Sequence, residues 1–174
     1  MLTWFPPADP LNWQERELWE TAAFVVEHPL EGHRAIYFHR SPDPSDEREA
    51  GWRFGEITLE ALACQPVPDG VRLTVRWSAD TVPEEAYSWF IHLLNPNGEI
   101  VAQQDRQPQG GYAPTNQWTS GETVIDRLFF PVPVRDLESW KLRVGFIHPS
   151  TGERLPVLMP QGTEVEAGYV EIEL

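Results

Sequence analysis

The stretch VRLTVRWSA, residues 71–79, alternates between apolar and polar side chains over most of its length. Its apolar positions are Val71, Leu73, Val75 and Trp77, and the polar positions between them are Arg72, Thr74 and Arg76. Successive side chains of a β-strand point to opposite faces of the sheet, so this alternation predicts an antiparallel strand with one buried face.

Short stretches of this kind recur along the chain after residue 52, separated by turns rich in Pro, Gly, Asn and Asp. We count roughly ten predicted strands at short spacing, which is typical of sandwiches and jelly rolls. No helical pattern lies between these strands, and this argues against alternating β/α units. The predicted fold is therefore an all-β antiparallel sandwich, immunoglobulin-like or jelly-roll-like.

The N-terminal part of the chain predicts a different organisation. The stretch ADPLNWQERELWE predicts a short helix capped by Asp9 or Asn12, and the next twenty or so residues predict a β-hairpin around the turn PLEG. The polar segment SPDPSDEREAG then predicts a linker. We expect a sandwich domain at 54–174 and a helix-plus-hairpin extension at 1–53 that packs on it.

Three tryptophans, Trp4, Trp13 and Trp19, lie in this extension. A helix as short as the predicted one is not stable by itself, so it must pack on another part of the chain. We expect the three rings to lie against the sandwich and to cover an open edge or face. The alternative is an aromatic patch that binds a partner chain.

Composition and charge limit the function. Hydrophobic residues make up 41% of the chain and charged residues 23%, as in ordinary globular domains. The single cysteine, Cys64, excludes an intrachain disulfide and a Cys-based zinc site, and we predict a small core side chain there. The net charge of −14 disfavours nucleic acid and anionic membranes as partners. Since no apolar run reaches about 18 residues, we predict no direct membrane insertion, and the N-terminus has no signal-peptide pattern.

The stretch GGYAPTNQWTSGETVID combines many turn formers with two aromatic residues. In one interpretation Tyr112 and Trp118 stack on the CH faces of a sugar, while Asp105, Glu122 and Asp126 accept hydrogen bonds from its hydroxyl groups. In the other, Trp118 closes one end of the sandwich and Tyr112 bonds to the backbone of the loop. The sequence leaves both interpretations open.

The same stretch carries a resemblance to a known family. The matching residues are Asp105, Gly110, Gly111, Tyr112, Pro114, Thr115, Trp118, Gly121, Glu122 and Asp126. In this pattern residues 54–174 resemble a β-sandwich domain found as the C-terminal extramembrane part of bacterial membrane proteins similar to dolichyl-phosphate-mannose glycosyltransferases. One departure is Ala113, inserted where family members often run directly from Tyr to Pro-Thr.

The resemblance implies a β-sandwich that belongs to an extracytoplasmic or cell-envelope assembly. It carries no transferase activity over, because the sequence holds no membrane-embedded transferase part. The function that it implies is a non-catalytic binding or interaction module, whose partner is a protein or a glycan.

A catalytic alternative is a glycan-acting enzyme with paired carboxylates drawn from Asp105, Glu122 and Asp126. Against it, the sequence contains no Gly-x-Ser-x-Gly nucleophile motif and no Gly-rich phosphate loop. We therefore predict no enzyme activity and no cofactor.

Metal binding has weak support in the sequence. Three histidines of the predicted hairpin, His28, His33 and His39, follow no known metal-binding spacing. The acidic loops match no calcium-binding pattern. We predict no metal site, and the oligomeric state stays open.

Overall fold

The computed structural model describes the backbone of residues 2–3, 13–30, 33–40, 44 and 46–174. It describes the side chains of these residues except at 2–3, 25–26, 28–30, 33–35 and 39–40. The predicted helix caps Asp9 and Asn12, and the side chains of His28, His33 and His39, lie outside the described residues.

Within this part of the chain, strands predominate and one α-helix occurs near the N-terminus. The helix α1 spans Trp13–Thr21, and short 3-10 helices span Pro108–Gly111 and Thr115–Gln117. The strands are β1 Leu2–Thr3, β2 Ala22–Leu30, β3 His33–Arg40, β4 Arg48–Phe54, β5 Ile57–Val67, β6 Gly70–Ala79, β7 Ser88–Leu94, β8 Ile100–Arg106, β9 Val124–Phe130, β10 Lys141–Ile147, β11 Val157–Leu158, β12 Glu164–Val165 and β13 Val170–Glu173.

The described strands form two sheets. The larger sheet has the order β1-β3-β2-β9-β6-β5-β4-β11-β12, and the smaller has the order β13-β10-β7-β8. Neighbouring strands are antiparallel except β2 and β9, which are parallel and pair Phe24 with Leu128. The predicted all-β sandwich is confirmed, while the finer assignment to an immunoglobulin-like or jelly-roll topology stays a prediction. No described helix is long and apolar enough to cross a membrane.

The core lies between the two sheets, and β6 supplies much of it. The four apolar side chains predicted to share one face of β6 are each 1% exposed or less, which confirms the alternation. Thr74, on the opposite face, is also buried at 4% exposure. β6 is therefore not half-buried along its whole length, because it is an inner strand between β5 and β9.

The N-terminal elements extend the larger sheet. β2 and β3 form the predicted antiparallel hairpin, and β2 joins that hairpin to β9. β4 pairs with β5, and the boundary that we predicted between residues 53 and 54 falls inside β4. The hairpin and the sandwich thus share one continuous sheet.

The tryptophans of the extension differ in their environment. Trp19 is buried and packs with Ala22, Ile36 and Phe38 in a small second core. Trp13 is 64% exposed, contrary to the expectation that its ring lies against the sandwich, and Trp4 lies outside the described residues. Of the two described rings, only that of Trp19, near the C-terminal end of α1, is buried.

The thiol of Cys64 gives a direct test of this packing. Cys64 packs against the main core from β5, and burial raises its pKa from 9.0 to about 12. The thiol is therefore ionised less at pH 8 than an exposed thiol, and the thiolate is the reactive form. We expect a thiol-specific aromatic disulfide reagent to modify Cys64 slowly in the folded protein and completely in denaturant. Fast modification under native conditions would contradict the described packing of β5.

Candidate functional site

Asp126 on β9 is the polar centre of the fold. Its Oδ2 accepts hydrogen bonds from the indole N–H of Trp77 at 3.1 Å and from that of Trp89 at 2.9 Å. Its Oδ1 accepts one from the backbone N–H of Gln109 at 2.8 Å. Trp77 belongs to the larger sheet, Trp89 to the smaller one and Gln109 to the loop after β8. One carboxylate therefore links both sheets to the loop that follows β8.

The ionised form of Asp126 is the one that this environment satisfies. Burial raises the pKa of Asp126, while the charge of Arg106 and the three N–H donors act in the opposite direction. An indole or backbone N–H can only donate, and each needs an acceptor. Because the groups bonded to the carboxylate are all donors, a proton on either oxygen would lack an acceptor among them. We therefore assign Asp126 as a carboxylate.

Arg106, the last residue of β8, provides the balancing charge. Its guanidinium carbon lies 4.9 Å from the ring centre of Trp19, 4.4 Å from that of Phe24 and 4.6 Å from that of Trp89. Its Nη1 donates to Oε1 of Gln104, while Nε and Nη2 are buried without a hydrogen-bond partner. The aromatic rings replace water around this cation through cation–π attraction.

The charge of Arg106 survives this burial. Burial lowers the pKa of Arg106 to about 10, and the negative charge of Asp126 opposes that shift. A group with a pKa of about 10 stays protonated at neutral pH. Arg106 and Asp126 therefore form a buried, charge-balanced pair that acts through space, with the indole of Trp89 in contact with both.

Phe24 packs against Trp19, Phe38 and Arg106. Trp19 and Phe24 stack at 4.8 Å with their planes 16° apart. The Arg106 guanidinium lies over both rings, with its carbon 4.9 Å from the ring centre of Trp19 and 4.4 Å from that of Phe24. Phe38 meets both rings edge-on. Phe24 itself is half-buried, so part of this residue remains accessible to solvent.

An open cleft of about 580 Å³ runs between β8 and the segment formed by α1 and β2. Phe24, Arg106 and Gly110 belong to its wall, and so do two carboxylates and several side-chain amides. The carboxylates are Glu27 and Asp105, and the amides are Gln103, Gln104 and Gln107. Aromatic surface and hydrogen-bonding groups therefore meet in one concave site, which is the usual form of a ligand site.

The cleft has firmly held walls. The side chain of Gln104 donates from Nε2 to the backbone oxygens of Phe24 at 3.3 Å and of Phe129 at 3.1 Å, which links β8 to the other sheet. Gly110 has a φ of +63°, and a Cβ there would lie 2.3 Å from the Trp19 ring. The first glycine of the loop is thus needed both for its backbone conformation and for close packing of α1.

Asp105, one of the residues that the sequence singled out, lies on the wall of this cleft. Its Oδ1 is 3.1 Å from Nε2 of His92, and its Oδ2 accepts a hydrogen bond from Nε2 of Gln103 at 3.0 Å. Its side chain is 41% exposed. Two neighbours therefore orient the Asp105 carboxylate on the outer face of β8, opposite to the face on which Gln104 and Arg106 meet Phe24.

Trp118 lies inside the protein. It is 2% exposed, packs in the main core, and donates its indole N–H to the backbone oxygen of Ala113 at 2.8 Å. Ala113 thus supplies the acceptor for this ring. Tyr112 is half-buried against the Trp19 cluster. Neither ring face of Trp118 is available to a sugar in this structure.

The remaining residues of the loop have structural contacts. The hydroxyl oxygen of Thr115 accepts a hydrogen bond from the backbone N–H of Tyr87 at 2.8 Å, and the hydroxyl donates to the backbone oxygen of Glu85 at 2.6 Å. Glu122 accepts hydrogen bonds from the backbone N–H of Thr119 at 2.8 Å and from its hydroxyl at 3.0 Å. The loop is held down by its own residues, which is the behaviour expected of a crossover.

The structure thus separates the five residues proposed from sequence. Asp105 is on the cleft, Asp126 is buried behind its wall, and Tyr112, Trp118 and Glu122 are outside its lining. Two residues that the sequence reading did not select, Phe24 and Arg106, are the centre of the cleft. Strand alternation places Arg106 on the same face of β8 as Gln104, but no pattern in the sequence links either residue to Phe24.

Comparison with protein-family models, with curated proteins and with solved structures found no match for this chain. The resemblance to the glycosyltransferase-like membrane proteins therefore stays a prediction. In the part of the chain that the structure describes, no group of three or more His, Cys, Asp or Glu side chains is placed to hold a metal ion.

Replacing Trp118 with Ala tests the structural role of this ring. We expect a loss of about 3–5 kcal/mol in the free energy of unfolding, because the change removes a large core side chain and leaves a cavity. Val82→Ala is the control, since Val82 is 54% exposed. Chemical denaturation of both variants gives the comparison, and a cost for Trp118→Ala as small as the control's would be inconsistent with its burial.

Replacing Asp126 with Asn tests the polar centre. Asparagine keeps the shape but places an NH₂ group among groups that donate, and it leaves the charge of Arg106 unbalanced. We expect this to cost about 3–5 kcal/mol in the free energy of unfolding, as for other broken buried pairs. Asp80→Asn, at a side chain that is 79% exposed, is the matched control and should change it by less than about 0.5 kcal/mol. Equal effects of the two variants on the free energy of unfolding would argue against Asp126 as the polar centre of the fold.

Proposed function

We propose that the chain is a non-catalytic binding module that holds a carbohydrate in the cleft between β8 and the α1–β2 segment. The observation that carries this proposal is the half-buried aromatic residue Phe24 in the lining of a cleft that also contains amide and carboxylate residues. The resemblance supplies the proposed setting, an extracytoplasmic or cell-envelope assembly.

The chemistry of the cleft matches that of a sugar. A pyranose presents CH groups on its ring faces and hydroxyl groups around its edge. The Phe24 ring offers an apolar surface for the first, and Glu27 and Gln107 of the same lining offer hydrogen-bonding side chains for the second. An open cleft also admits an extended chain from either end.

The platform is held in place before a ligand arrives. Trp19 supports one face of Phe24, Arg106 and Phe38 flank it, and Gln104 binds the Phe24 backbone oxygen. A binding group whose position is fixed by packing loses less entropy when a ligand binds. The buried Arg106–Asp126 pair therefore serves the site as support for its wall.

The carboxylates selected for a catalytic alternative are placed differently. Asp126 accepts three hydrogen bonds inside the core, and Glu122 accepts two from Thr119 in its own loop. Asp105 alone of the three lines the cleft. Glycoside hydrolysis needs an acid and a second carboxylate on either side of one bond. This arrangement supports binding in preference to cleavage by these residues.

The variant Phe24→Leu tests the proposal, because leucine fills the site but has no aromatic face. Calorimetric titration with a panel of soluble neutral and charged oligosaccharides should identify a ligand of the unaltered protein. Phe24→Leu should weaken binding of that ligand about fivefold, corresponding to about 1 kcal/mol of ring stacking. The control is Trp13→Ala, which removes an exposed aromatic ring outside the cleft lining.

Three results would overturn this function. They are no binding across the panel, equal binding by Phe24→Leu and the unaltered protein, and release of new reducing ends from the bound sugar. Denaturation curves of both variants show whether each is folded at the temperature of the titration.

A further inference from the structure

The cleft lies at a step between the two sheets. β8 is the last strand of the smaller sheet, while the larger sheet continues beyond β9 with β2, β3 and β1. The Gln104 side chain of β8 donates to the backbone oxygens of Phe129 on β9 and Phe24 on β2, so β8 lies across the junction of these two strands. The larger sheet therefore continues past the edge of β8, and Phe24 and Glu27 of β2 line the cleft beside that edge.

The edge of β8 forms one side of this step. Five consecutive residues, 103–107, line the cleft. Successive side chains of a strand point to opposite faces of the sheet, with Gln104 on the inner face of β8 and Asp105 on the outer face. A lining that includes residues of both faces follows the edge that the two faces share. Gln107 also has an extended backbone, with φ −70° and ψ 151°, so the lined stretch is about 13 Å long.

This edge of β8 offers backbone hydrogen-bonding groups. Among the described strands, β7 alone pairs with β8. In an antiparallel pair, every second residue directs its N–H and C=O away from the partner strand. An edge strand therefore presents donors and acceptors at a regular spacing of about 7 Å. The step thus combines a row of backbone groups on one side with the aromatic residue Phe24 on the other.

We infer that the ligand of this cleft is an unbranched, extended glycan chain that lies along the edge of β8 over several sugar units. This inference rests on the proposed function of the cleft. Hydroxyl groups at the edges of consecutive sugar rings bond to backbone groups of β8, and the ring face of one unit contacts Phe24. Because the backbone groups recur at a constant spacing, a ligand that is itself a straight repeat satisfies more of them than a single sugar does.

The walls of the cleft limit the shape of that chain. Gln104 bonds to the Phe24 backbone oxygen at 3.3 Å, and the guanidinium carbon of Arg106 lies 4.4 Å from the Phe24 ring centre. These contacts join β8 to β2 and close the floor of the step. A branch directed toward the floor or toward β8 would therefore meet protein. A chain that coils, as a starch-type glucan does, leaves the straight edge of a strand within a few units.

Two glucose hexamers test this shape, because cellohexaose is extended and maltohexaose is coiled, while both contain the same uncharged sugar. Calorimetric titration compares them with each other and with the extended hexamers of mannan and xylan. We expect at least one extended hexamer to bind about tenfold or more tightly than maltohexaose. Within its series the affinity should increase from the monomer up to about three sugar units, which together cover the lined part of β8, and then level off.

Hydrogen exchange of backbone amides assigns the contact to the edge of β8. Amide N–H groups of residues 103–107 that point away from β7 should exchange about fivefold or more slowly when the extended hexamer saturates the protein. The matched control is β13, Val170–Glu173, which is the other edge strand of the same sheet and lies outside the cleft lining. Its exchange rates should stay unchanged.

The outcomes separate this inference from the function beneath it. If no extended hexamer binds more tightly than maltohexaose, or if the monomer binds as tightly as the hexamer, the inference fails, and any sugar that does bind keeps the carbohydrate function. Equal slowing of exchange in β8 and β13, or no slowing in β8, contradicts a chain along this edge. If no sugar of any kind binds, the proposed function itself fails. An extended peptide that binds in place of every sugar has the same consequence.

Discussion

The rest of the structure depends on the three hydrogen bonds that the Asp126 carboxylate accepts. A β-sandwich is held together mainly by non-directional apolar contact between two sheets, which fixes their separation better than their relative position. Here two tryptophan N–H groups, one from each sheet, converge on the same oxygen. Because hydrogen bonds are directional, this shared acceptor fixes the offset between β6 and β7. The third donor, from Gln109, fixes the start of the long loop as well.

A buried charge at this position requires a second one. An ionised carboxylate in an apolar core is costly unless hydrogen bonds and an opposite charge compensate it. Arg106 compensates the charge without a direct hydrogen bond, and three aromatic rings in turn compensate the desolvation of Arg106. Two of those rings, Trp19 and Phe24, come from the N-terminal helix and hairpin. The hairpin is therefore coupled to the sandwich by electrostatics as well as by the parallel pairing of β2 with β9.

The sequence predicted what depends on local periodicity. The alternation in β6, the hairpin of β2 and β3 and the all-β class follow from patterns within a few residues of one another, and these are confirmed. The candidate site depends on contacts between distant residues. Gln104 meets the Phe24 backbone from 80 positions away, and Trp77 and Asp126 are 49 positions apart. No period in a single sequence reports such pairs. Trp13 was predicted to be buried because it is a large apolar residue. Its ring is exposed to solvent instead, because of its position on α1.

These contacts decide between the two interpretations of the loop 110–126. Turn formers and aromatics together are compatible with a flexible binding loop and with a fixed crossover. Burial decides between them: Trp118 is inside the core, and Gly110 lies so close to Trp19 that a Cβ would not fit. The loop therefore cannot open to stack Trp118 on a ligand without losing core packing. Instead, Gly110 of the loop packs against Trp19 of α1, and Trp19 stacks on Phe24 at the wall of the cleft. In our proposal the loop contributes to binding indirectly, by fixing the aromatic platform that the hairpin provides.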